Sequence, residues 1–64
     1  MKNGIEIRSN GNTIKKKNEM YYVYILINKT LVLSRDGPWD YLRNARGSAD
    51  KSDITDICIS CYFK

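Results

Sequence analysis

Histidine is missing from all 64 residues, and proline and tryptophan occur once each. Without histidine there is no ordinary general base for a serine or cysteine nucleophile. Cysteine is limited to Cys58 and Cys61, too few for a tetrahedral zinc site in a chain that has no imidazole to add. The four glycines are scattered singly, so no Gly-rich loop is available to cradle a phosphate. Asp36 and Asp40 fit turn and helix-start positions, and Asp50, Asp53 and Asp56 belong to a polar loop, so no carboxylate pair suggests acid–base work. These shortages point away from an enzyme and away from any metal or cofactor. No apolar run approaches the ~20 residues of a membrane span, and MKNGIEIRSN lacks the apolar segment of a secretion signal. The expectation is a cytoplasmic chain with no membrane association.

What is present is a single small folded domain over residues 1–64. Hydrophobic residues at 42% with one proline exceed what a disordered segment carries. A chain this short buries only about 60% of its unfolded surface, and its core supports a net stability on the order of 3–5 kcal/mol. The formal charge is +4 and uneven. Residues 1–35 hold most of the lysine and arginine against only Glu6 and Glu19, whereas residues 36–64 are close to neutral. Such asymmetry suits an acidic partner, whether nucleic acid or protein.

IEIRSNGNTIKK reads as a hairpin. Asn10-Gly11 predicts a two-residue type I′ turn, which sets Ile7 opposite Ile14 and Glu6 opposite Lys15. MYYVYILIN is β-branched and aromatic throughout and predicts a strand. A short turn at Asn28-Lys29-Thr30 leads into a further strand, TLVLSR. RDGPWDYLRNARG predicts a helix of roughly nine residues with Pro38 at its first position and Gly47 as its stop. That helix would pack through Trp39, Leu42 and Ala45, and GSADKSD would follow as a loop.

In DITDICISCYFK, Ile57, Ile59, Cys61 and Phe63 alternate with polar positions, which predicts a last strand. Cysteines three apart on a strand point to opposite faces. The C-x-x-C is therefore read as a core thiol at Cys61 and a free thiol at Cys58, not as a redox or metal site. Met20-Tyr21-Tyr22-Val23-Tyr24-Ile25-Leu26 resembles the opening strand of the GIY-YIG nucleases. Their pattern also needs a glycine on the next strand and a later glutamate. Leu31-Val32-Leu33-Ser34 has no glycine and no Glu follows Glu19, so nuclease chemistry is not carried over.

The expected fold is α+β, a small antiparallel sheet of about five strands in the order β-β-β-β-α-β with one short helix packed on one face. Even-length turns would put Ile5, Ile7, Ile14, Val23, Ile25, Ile27 and Val32 under the helix. The opposite face would carry Arg8, Lys15, Tyr22, Tyr24, Leu26, Leu31, Leu33 and Arg35. One short helix shields one side of a sheet, so that second face is the functional candidate.

The expected function is that of a small non-enzymatic binding or regulatory protein, of the inhibitor or modulator kind encoded by phages and mobile elements. It would dock on a larger protein or protein–nucleic acid assembly through Arg8, Lys15, Tyr22, Tyr24, Leu31, Leu33 and Arg35. The alternative is direct binding of single-stranded nucleic acid, with Tyr22 and Tyr24 stacking on bases and Lys15, Lys16, Lys17 and Arg35 holding phosphates. Pairing of the same face in a homodimer, or curling of the sheet on itself, would bury it without a foreign partner.

Overall fold

The computed structural model describes residues 1–57. Four strands, β1 (Ile5–Ile7), β2 (Thr13–Lys17), β3 (Met20–Ile27) and β4 (Thr30–Leu33), form an antiparallel meander in sequence order. One helix follows, α1 (Leu42–Lys51), and then a short 3-10 turn, Ile54–Asp56. The fold is thus α+β with a small antiparallel sheet. Ser34 pairs with Ile57 in an isolated bridge; the rest of the expected fifth strand, with Cys58 and Cys61, lies outside the described residues. The helix is neither long nor apolar enough to cross a membrane.

The second and third hairpins close through two-residue loops, the even length that was expected. Lys17 pairs with Met20 across Asn18-Glu19, and Ile27 with Thr30 across Asn28-Lys29. All four turn residues have positive φ, between 48° and 66°, which is what a two-residue type I′ turn requires. Asparagine takes that backbone at little cost. The even loops place Val23, Ile25, Ile27 and Val32 on one side and Tyr22, Tyr24, Leu26, Leu31 and Leu33 on the other, as expected.

The first hairpin departs from expectation by one residue. Arg8 N–H donates to Asn12 O at 2.8 Å and Gly11 N–H to Arg8 O at 2.9 Å. Asn10 keeps a negative φ, and only Gly11 is left-handed, at +91°. This is a three-residue loop with a glycine bulge. Its extra residue pairs Glu6, not Ile7, with Ile14, and Ile5 with Lys15. Because side chains alternate strictly, a slip of one position exchanges the faces of the whole strand. Glu6 therefore lies beneath the helix, while Ile5 and Ile7 join the opposite side. A Cβ built on Gly11 would stand 2.6 Å from Leu26 Cδ2. Gly11→Ala is expected to cost more than about 1 kcal/mol, read as a lower urea midpoint; an unchanged midpoint would contradict the bulge.

The helix also differs from its expected span, starting at Leu42 and running through Gly47. Trp39 cannot be helical because its backbone forms a bridge to Tyr21, with both N–H···O bonds at 2.9 Å. Gly47 is tolerated in mid-helix on an exposed flank. The buried stripe is Ala45, Ser48 and Ala49, at the i, i+3, i+4 spacing of one helix face. Small side chains there admit close approach to the sheet. Ile14, Val23, Ala45 and Ala49 form one core cluster, flanked by Tyr21, Trp39 and Leu42. Ile25, Val32 and Ile57 form a second beside it.

Candidate docking face of the sheet

With the registers fixed, the side of the sheet turned away from α1 is an ordered lattice. Ile7, Thr13, Tyr24 and Leu33 run across it in one row. Ile5, Lys15 and Tyr22 form the next row. Leu26 opposite Leu31 closes one end, and Lys17 opposite Met20 the other. Ile7 is 72% exposed, Ile5 and Leu26 45% each, and Leu31 37%; Tyr22, Tyr24 and Leu33 are half-buried between them. Curling of the sheet does not seal these leucines. A hollow of about 550 Å3 opens in this face, lined by Ile5, Tyr22, Tyr24 and Leu33 together with Lys15, Lys16 and Lys17.

Five of the seven residues expected in a partner site therefore meet here: Lys15, Tyr22, Tyr24, Leu31 and Leu33. Arg35 is exposed two residues past Leu33, where its N–H donates to Asp56 O at 2.8 Å. Arg8 is not on this face. It follows a strand whose alternation has been reversed, and its guanidinium makes a two-pronged contact to Asp50 on α1, Nε to Oδ1 at 2.8 Å and Nη2 to Oδ2 at 3.0 Å. A third bond, from Nη1 to Glu6 Oε2 at 2.8 Å, holds it there. Alternation also divides the lysine run. Lys15 and Lys17 belong to the open face, with Lys15 Nζ 4.7 Å from the Tyr24 ring centroid. Lys16 turns to the helix side, its Nζ 5.6 Å above the Tyr21 ring. Ile5 and Ile7 are contributors that the expected register had hidden; the only sequence signal for them is that Asn10-Gly11 also fits a bulged three-residue loop.

The electrostatics follow from the same slip. Beneath the helix, Glu6 accepts from Arg46 through both oxygens, each at 2.7 Å, and from Arg8. The Arg46 hydrogen bond above all, with Arg8 helping, draws the Glu6 carboxyl down to about 2, against partial burial that opposes ionisation. Arg8 likewise holds Asp50 below its ordinary value. The paired strands of the open face carry no carboxylate. Its ionisable side chains there are Lys15 and Lys17, together with the phenols Tyr22 and Tyr24.

A second hollow of about 450 Å3 lies beside α1, lined among others by Asp36, Asp56, Arg43 and Lys51. Trp39 lines it beside side chains of both signs, so it has no dominant charge, and Asp36 is already engaged by Ser48 Oγ at 2.8 Å. Among the described residues no group of three His, Cys, Asp or Glu side chains is placed to hold a metal ion. Comparison with models of known protein families, with curated proteins and with solved structures returns no match, so the chemistry of the open face is read from its own residues.

Proposed function

We propose that this chain is a small binding protein, a modulator without enzymatic activity, that docks through the open sheet face onto a larger protein or protein–nucleic acid assembly. One observation carries the reading: α1 covers one side of the sheet, and the other presents Ile5, Ile7, Leu26 and Leu31 to water in a continuous lattice with two tyrosines. An apolar patch of several hundred Å2 on so small a monomer marks an interaction surface. Tyrosine beside a cation is also the composition of binding hot spots. Occupying the partner's surface would be enough to block or redirect it.

The nucleic acid reading has one observation in its favour, the ammonium of Lys15 resting on the Tyr24 ring beside Tyr22. It predicts an affinity that falls steeply with salt through counterion release.

The discriminating experiment is affinity capture from native lysate with and without nuclease, using wild type and Tyr22→Ala with Leu33→Ala as baits. The double variant is expected to keep its circular dichroism spectrum and to lose at least tenfold in captured partner, equivalent to about 1.4 kcal/mol. Partner capture by wild type should survive nuclease. Equal capture by both baits would refute the docking face, and capture abolished by nuclease would favour nucleic acid. Should the double variant unfold, Ile7→Ser serves instead, since a side chain 72% exposed supports no core.

A further inference from the structure

We infer that the surface recognised by the open face is an acidic protein segment with apolar anchors, its aliphatic or aromatic side chains entering the hollow and its carboxylates meeting Lys15 and Lys17. This rests on the docking reading above and gives the partner a chemistry.

The first ground is how charge is sorted through the fold. Glu6 is the one acid that the first hairpin could have placed on the open face, directly opposite Lys15. The bulge at Gly11 moves it under the helix, where two arginines occupy both of its oxygens. Asp50 is taken by Arg8 and Asp36 by Ser48, and Asp53 and Asp56 bracket the 3-10 turn in a reciprocal cap. Lys15 and Lys17 pair with no carboxylate among the described residues. A partner that supplies carboxylates meets cations with nothing to displace, whereas a basic partner meets only repulsion.

The second ground is the shape and make-up of the face. The hollow of about 550 Å3 is within the range that holds a few bulky side chains. Branched aliphatics, Ile5, Ile7, Leu26 and Leu31, outnumber its two tyrosines among the exposed and lining residues, and they pack against apolar side chains better than against stacked bases. Two-fold pairing with a second copy would lay Lys15 and Lys17 against paired strands that carry no carboxylate, Glu19 lying outside them in the β2–β3 turn. At Ile5 the outer edge of β1 is already occupied, because Lys2 exchanges both backbone hydrogen bonds with it, at 3.2 and 3.0 Å.

The test is selection from a random-peptide display library on the immobilised chain, followed by synthesis of the recovered sequences. The expected peptides combine Asp or Glu with Leu, Phe, Tyr or Trp, and they shift the amide resonances of Ile5, Tyr22 and Tyr24. Lys15→Glu with Lys17→Glu should weaken them at least tenfold, since like charges are brought together; Lys17→Glu alone, at an exposed strand end, guards against misfolding of the pair and should weaken them in the same direction. Neutral or basic peptides that are lost in Tyr22→Ala with Leu33→Ala would overturn the acidic partner while leaving the docking face standing. Peptides that bind that variant equally well would overturn the docking face itself. Recovery of no peptide, tighter binding of a single-stranded oligonucleotide, or self-association abolished by the face variants would each overturn the acidic segment.

Discussion

Asn12→Ala is expected to lower the stability by about 3 kcal/mol, close to the whole net stability of a domain of this size, on the order of 3–5 kcal/mol. The side chain is 4% exposed and three partners depend on it. Its Oδ1 accepts from Leu26 N–H at 2.9 Å, and its Nδ2 donates to Ala49 O at 2.8 Å and Ser52 O at 3.0 Å. The bulge at Gly11 ends the β2–β3 ladder early, and the carboxamide takes the place of the missing strand partner for Leu26. The same group satisfies carbonyls at the end of α1, which a helix of ten residues otherwise leaves to water. Alanine would leave the Leu26 donor and the Ser52 acceptor without a partner in a partly buried place, each at about 1–3 kcal/mol when unsatisfied, though not additively. Ala49 O keeps its bond from Asn10 Nδ2 at 3.0 Å, which moderates the loss. Urea denaturation followed by Trp39 fluorescence reads the effect. Asn12→Asp separates the two roles, because it can still accept from Leu26 but turns its donor into an anion facing two carbonyls. It should be destabilised at neutral pH and partly recover in acid. A midpoint for Asn12→Ala within about 0.5 kcal/mol of wild type would show that the carboxamide is not the joint between sheet and helix.

The strands were legible because each carries its own instructions. β3 is a run of β-branched and aromatic residues, and Asn28-Lys29 is flanked by complementary alternation, so the faces of Tyr22, Tyr24, Leu31 and Leu33 follow from counting. The first hairpin resists counting, since Asn10-Gly11 serves a two-residue and a three-residue loop alike, and the choice depends on contacts with residues about forty positions away. In the three-residue form Asn10 and Asn12 reach the end of α1 and Glu6 reaches Arg46. In the two-residue form Glu6 would face Lys15 in water. The start of the helix is hidden in the sequence for a related reason. Its buried stripe is made of the small side chains Ala45, Ser48 and Ala49, with no bulky apolar residue after Leu42 to mark the buried face, and Pro38-Trp39 imitates a helix start while Trp39 is a bridge partner of Tyr21. Local propensity yields to tertiary pairing where the two compete. The face of Arg8 depends on the register alone, so the one-residue slip carries it to the helix side.

Glu6 is the residue on which that register turns, and it supplies the second large effect. Glu6→Gln preserves shape and one acceptor but removes the charge shared by Arg46 and Arg8. Hydrogen bonds to a charged group contribute about 1.5–3 kcal/mol. The Arg46 side chain is 43% exposed, so solvent screening moves the expectation toward the lower end, about 2 kcal/mol. The pH dependence gives a sharper test. In the folded chain Glu6 stays ionised down to about 2, against an ordinary value of 4.5. Between those limits the unfolded carboxylate binds a proton that the folded one refuses, so unfolding gains as the pH falls. The contribution of Glu6 is complete above about 4.5 and disappears as the pH approaches about 2. Asp50, lowered by Arg8, and Asp53, lowered by Thr55, act in the same sense. Urea midpoints of the wild type should therefore fall steadily through this window. Glu6→Gln should start lower and fall less steeply, keeping only the slope that Asp50, Asp53 and other carboxylates supply. If wild type and Glu6→Gln lose stability in parallel from neutral pH to acid, Glu6 does not sit between Arg46 and Arg8. The first strand would then be paired the other way round, with its isoleucines inside and the open face no longer free of acid.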